Sequence, residues 1–139
     1  MDFNRRLSIS LFLLRIGVFI VMLMWTLDKF INPDHAAAVA ENFYMMEGMS
    51  HGVFYVIGSV QLLIVIVFVI GLFRRISYGL VLLLHAVSTF SSYQQYLDPW
   101  QNLLFFAAWP MLAACAALYL LRNSDTLLSV DAIRQRRAS

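Results

Sequence analysis

One arginine, Arg15, stands well inside the apolar run LSISLFLLRIGVFIVMLMWT. A guanidinium stays charged at any ordinary pH and carries five N–H donors, so it needs acceptors or an anion close by. Two other polar side chains interrupt runs of similar character, Gln61 in GSVQLLIVIVFVIG and His85 in GLVLLLHAVSTF. Counted at about 1.5 Å per helical residue from the basic end of each run, Arg15 lies ~12 Å in, His85 ~14 Å and Gln61 ~18 Å. Cys115, ~9 Å into the last run, falls near the same layer. Polar groups at membrane depth normally face a bundle interior and find one another. Two chemistries are open to such a layer. In one, the Gln61 carbonyl and a neutral His85 nitrogen accept from Arg15, a clasp that fixes packing and does nothing else. In the other, the layer binds an anion or the carbonyl oxygens of a quinone. Lys29 would join it, because Arg15, Met22 and Lys29 recur every seven residues on one face. On the His85 helix Ser88, Thr89 and Ser92 follow at i+3, i+4 and i+7, extending a polar stripe.

A second cluster lies in FYMMEGMSHG, where Met45, Met46, Met49 and His51 stand together. Thioethers with imidazole suit Cu(I). Methionines at a membrane surface also serve as adaptable packing. A haem is disfavoured, since His35 and His51 belong to the opposite end of the chain's fold from His85. No catalytic residue is assigned: no acid lies in any apolar run, and no nucleophile–base pair is visible. Asp28, Glu41, Glu47 and Asp98 read as exposed loop acids. The single cysteine excludes an internal disulfide and a cysteine-built metal cage, and reads as a small apolar residue in an alanine-rich helix. No nucleic-acid-binding motif occurs.

The elements that must position these residues follow from composition. The chain has 139 residues, 61% apolar and 13% charged, where a soluble domain carries about a quarter charged residues. That balance specifies an integral membrane protein. Four stretches approach the ~20 residues needed to cross a bilayer: 7–27, 52–73, 76–96 and 103–121. The expected fold is an all-α, antiparallel four-helix transmembrane bundle over residues 1–122, with a cytoplasmic basic tail over 123–139. The first stretch exceeds the apolar core of a signal peptide, and Asp28, Lys29 and Asn32-Pro33 precede the A-x-A at Ala38-Val39-Ala40, so it reads as a span and not a leader. Arginines flank the spans on one side (Arg5, Arg6, Arg74, Arg75, Arg122, Arg134, Arg136, Arg137), and the acids Asp28, Asp34, Glu41, Glu47 and Asp98 gather on the other. By the positive-inside rule both termini are cytoplasmic, in a bacterium at the inner membrane with the long first loop outside. Asn32-Pro33 starts a short surface helix in that loop. Trp25, Phe43, Tyr44, Tyr55, Tyr93, Tyr96 and Trp100 form an outer aromatic belt. Trp109-Pro110 bends the last span. Ala113, Ala114 and Ala117 give that span a small-residue face for a membrane protein partner or a second copy. The segment DTLLSVDAIRQRR forms an amphipathic helix on the inner leaflet, its basic end drawn to anionic lipid.

The pattern resembles the DoxX/DoxD family of small four-span membrane proteins. The residues that carry the likeness are LLRIGVF, then WTLDKFINP, then GSVQLLIVIVFVIGLFRRISYGLVLLL, within residues 13–121. The family's recurring features would fall on Arg15, Gly17, Lys29, Gly58, Gly71 and Arg75. Many relatives carry a glutamate where this chain has Gln61, so a proton relay through that position is not expected. The resemblance implies membrane redox physiology, as thiosulfate oxidation coupled to quinone or as part of an oxidative-stress complex. Three functions are therefore consistent with the sequence. The first is an accessory subunit of a redox or assembly complex without autonomous catalysis. The second is a quinone- or anion-binding oxidoreductase subunit using Arg15, Gln61, His85 and Lys29. The third is a copper-handling or small-solute transport protein.

Overall fold

In the computed structural model, which describes residues 1–138, the chain folds into α-helices with no strand among those residues. The helices are α1 (Phe3–Ile31), α2 (Pro33–Tyr44), α3 (His51–Val69), α4 (Arg74–Ser91), α5 (Tyr93–Leu97), α6 (Ala108–Leu120) and α7 (Val130–Ala138). A 3-10 turn, Leu103–Ala107, leads into α6. Three segments among the described residues are long and apolar enough to cross a membrane: Phe3–Ile31, His51–Val69 and Leu103–Leu120. These give the chain the make-up of an integral membrane protein. α4 falls short of them because Arg74, Arg75, His85 and its hydroxyl residues dilute its apolar positions. The expected third span, 76–96, is also interrupted: the chain breaks at Ser92 before α5.

Helix limits have local causes. The Asp2 carboxylate accepts from the Arg5 backbone N–H at 2.8 Å and caps α1. Pro33 occupies the first turn of α2, where its missing N–H costs no hydrogen bond. α2 ends at Met45, whose left-handed φ of 54° closes the turn. Pro110 cannot donate to the turn before it, and the backbone there tightens into the 3-10 stretch ahead of α6. The irregularity thus falls before Trp109-Pro110, which lie within the first turn of α6.

α1 packs along α3 and touches α6, while α4 lies between α3 and α6. The main core joins Leu11, Val18 and Met22 of α1 with Val65, Phe68, Tyr78, Val81, Cys115 and Leu118. A smaller cluster seats α2 through Ala36 and Ala40 on Phe54 of α3, with Met49 packed against it. Two glycines let α1 and α3 approach. A Cβ on Gly58 would lie 2.8 Å from the Phe30 ring and 3.3 Å from the Lys29 Cβ. A Cβ on Gly71 would lie 2.5 Å from an Arg15 nitrogen, and Gly71 also has a φ of +67°.

The tail is not a separate appendage. Residues after α6 fold back over the end of the bundle that carries the α3–α4 turn, and bury Asp125, Ser129 and Ala132. Val130 and Asp131 donate their backbone N–H groups to the carbonyls of Ile70 and Gly71. Ser129 donates its hydroxyl to the same Gly71 carbonyl at 3.1 Å. Helix α7 therefore starts inside the fold and only its basic end, from Ile133 on, is exposed.

Candidate functional site

Arg15 is fully buried, but not among Gln61 and His85. Its guanidinium donates to the Tyr78 hydroxyl at 3.2 Å and to the backbone carbonyls of Leu127 and Leu128. The Asp125 carboxylate lies 3.5 Å away and also accepts from Tyr78 at 2.6 Å. The clasp expected with Gln61 and His85 does not form: Tyr78 and the tail hold Arg15 instead, the tail supplying the acid and the carbonyls. The physical reason is register. The 29-residue helix α1 is about 43 Å long, more than a bilayer crossing needs. Its first turns run past the α3–α4 turn, and the Gly71 contact fixes Arg15 level with that turn. Gln61 lies ten residues earlier on the same strand of chain, about 15 Å further along the bundle.

A second set of contacts pins the same end. Arg74 donates to the carbonyls of Arg122 and Asp125 at 2.6 Å and 2.7 Å. The Asp131 carboxylate accepts from the backbone N–H groups of Phe73 and Arg74, at 3.1 Å and 2.9 Å. It thereby caps α4 from a distant part of the chain, where an anion is favoured. Sequence reasoning passed over Asp125, Tyr78 and Asp131. Their signal was side: all three fall on the arginine-rich side, within reach of an Arg15 placed near that end.

Gln61, His85 and Lys29 lie further from the α3–α4 turn than Arg15. They share one cleft of about 1420 Å³. Its wall is mostly apolar, from Val18, Met22 and Trp25 of α1 across Phe54 and Ile57 to Leu84 and Met111. α2 contributes His35, Val39 and Phe43, and Phe105 of the 3-10 turn lies against Phe43 with ring centroids 5.9 Å apart. The cleft is not sealed, because Leu14, Val21, Trp25 and Leu104 of its wall also belong to the exposed apolar surface. Gly17 lines it with no atom within 4 Å of where a Cβ would stand, which keeps that side open.

The polar groups in this wall are differently engaged, and Asp28 and His35, both in the lining, pair with each other. Lys29 donates from Nζ to the Trp25 carbonyl at 3.1 Å. The Gln61 amide, half-buried, has no hydrogen-bond partner among the described residues. His85 places Nε2 3.0 Å from the Ala108 carbonyl and 3.2 Å from the Thr89 hydroxyl oxygen. Ser88 and Ser92 continue the stripe along the wall. Thr89, the remaining stripe residue, is buried beside His85 and outside the cleft lining.

The methionine–histidine cluster is spread over separate surroundings. Met45 is 89% exposed, Met46 lines the cleft and Met49 packs on the α2 cluster. His51 pairs with Asp34 at 2.7 Å, and His35 with Asp28 at 2.7 Å, so two imidazole–carboxylate contacts tie α2 to α3 and α1. Cys115 is buried in the main core. Of the alanine face on α6, Ala113 is exposed whereas Ala114 packs inward and lines the cleft. No protein-family model matches the chain, and neither a curated protein nor a solved structure matches it.

Proposed function

We propose that the chain is a four-span, DoxX-like membrane subunit that holds a lipophilic small molecule of the quinone class and performs no chemistry alone. The observation that carries this reading is the half-open apolar cleft of about 1420 Å³ with Gln61, His85 and Lys29 in its wall. Small-molecule sites are mostly apolar with a few placed polar groups, and this wall has that make-up. A quinone ring enters from lipid, and its two oxygens need hydrogen-bonding groups that hydrocarbon cannot supply. The one imidazole–carboxylate pair in the wall, His35 with Asp28, ties α2 to α1, and in this reading redox chemistry belongs to a partner subunit.

The fourth crossing in this reading is α4. Its polar residues Arg74, Ser77, Tyr78, His85 and Thr89 are buried, while Ile76, Leu83, Val87 and Phe90 are exposed. A helix with an apolar outside and a polar inside suits lipid, whatever its average apolarity. With the arginines of both chain ends and the α3–α4 turn inside, the termini are cytoplasmic and α2 lies at the outer surface of a bacterial inner membrane.

The test is a titration of the full chain, in lipid nanodiscs, with a short-tailed benzoquinone, following tryptophan emission because Trp25 lines the cleft. Saturable quenching is expected, lost in Trp25→Phe. Gln61→Leu should weaken binding by about tenfold, the worth of one hydrogen bond in a dry site. Quenching that rises linearly with quinone and ignores both substitutions would reduce the cleft to a lipid-filled packing gap.

A further inference from the structure

The hydrogen bonds around His85 fix which nitrogen carries its proton. The Thr89 hydroxyl donates its only hydrogen to the His85 carbonyl at 2.8 Å. Toward Nε2, 3.2 Å away, the same oxygen can then only accept. The Ala108 carbonyl, 3.0 Å from Nε2, is an acceptor as well. Nε2 therefore bears hydrogen, shared between two acceptors, and in the neutral ring Nδ1 holds a lone pair. Nδ1 has no hydrogen-bond partner among the described residues, and the ring lines the cleft.

We infer that the cleft selects the reduced, hydroxyl-bearing form of its ligand, a quinol, over the corresponding quinone; this rests on the reading of the cleft as a quinone-class site. Quinone oxygens only accept, so a quinone carbonyl facing Nδ1 sets lone pair against lone pair. A quinol hydroxyl donates to Nδ1 and satisfies it. Of the other polar residues of the wall, Asp28, which as an acceptor would otherwise also favour a hydroxyl, is already engaged by His35 at 2.7 Å, and Lys29 and Gln61 do not discriminate. Lys29 is a donor that both forms can accept from, and the Gln61 amide offers either role. Selection thus falls on His85, and its magnitude follows from a polar group that one ligand pairs and the other leaves unpaired.

The deciding experiment compares a decyl-tailed benzoquinone with its quinol on the full chain in nanodiscs, by calorimetry under anaerobic conditions. Quinol affinity about tenfold above that of the quinone is expected. The bound couple should correspondingly show a midpoint potential raised by about 30 mV over the free one. His85→Gln keeps a donor at the Nε2 position for the Ala108 carbonyl and has no atom where Nδ1 stands. In that variant quinol affinity should fall to the level of the quinone. Equal affinities in the parent chain, or a preference unchanged in His85→Gln, would overturn the selection and leave the site standing. Binding of neither form would remove the site and the selection with it.

Discussion

Arg15 and Asp125 are each fully buried, and each keeps one polar atom, Nε and Oδ1, without a partner. Such a pair is expensive to bring out of water, and removing one member strands the other charge. Arg15→Leu or Asp125→Leu alone should therefore destabilise by about 3–5 kcal/mol. The double substitution should be milder than the sum of the two, because neither charge is then left unpaired. Unfolding midpoints in micelles, measured for both singles and the double, give the coupling directly. Additive losses would mean that the contact is incidental. Arg15 was conspicuous in the sequence because nothing else in its run is charged. Its acid was not, since Asp125 lies in a segment whose arginines make it read as a solvated tail. Burial of that carboxylate depends on a chain reversal after α6, and no local pattern around RNSDT encodes it.

Between elements, the joint that holds α7 to the α3–α4 turn is the Asp131 carboxylate on the Phe73 and Arg74 amides, with the Arg74 Nε at 3.7 Å. Phe73 adopts a left-handed φ of 48°, a conformation that a bulky side chain takes only when its surroundings hold it there. Asp131→Ala should cost about 1–2 kcal/mol as a lost helix cap. It should also let the tail open more often, so trypsin should cut at Arg134 faster while the apolar helices stay intact. An unchanged cleavage rate would show that the Ile70 and Gly71 carbonyls alone hold α7. The long helices were legible, because runs of this length and apolarity have few other solutions, but the break at Ser92 and the 3-10 stretch were not. Register was less so. The run beginning at Leu7 marks where α1 becomes apolar, whereas the Asp2 cap starts the helix at Phe3. Nothing in a single run tells how far it slides along its neighbours, which is why Arg15 was matched to Gln61 and His85. Gln61, His85 and Lys29 share the lining of one cleft, which a single run could not indicate either.

For the whole molecule, how many times the chain crosses turns on α4. Three crossings would leave α4 beside the membrane and put the residues before and after it on one side. Four crossings separate them. Its exposed face carries Ile76, Leu83, Val87 and Phe90, and exposing these to water forfeits the burial free energy of large apolar side chains, roughly 1.5–3 kcal/mol each. Lipid contact removes that penalty, and the buried Tyr78, His85 and Thr89 already have partners inside the bundle. The four crossings proposed above avoid that penalty. The prediction can be read with single cysteines in a Cys115→Ala background, which silences the one native thiol, itself 1% exposed. On intact cells, a membrane-impermeant maleimide should label Gln101→Cys and Glu47→Cys, both at exposed positions outside the apolar runs. Arg75→Cys should react only after the membrane is broken. Labelling of Arg75→Cys and Gln101→Cys from the same side would demote α4 to a surface element. The half-open cleft, walled in part by Leu84, His85 and Ser88 of that helix, would then face water instead of lipid, and a lipophilic occupant would lose its route of entry.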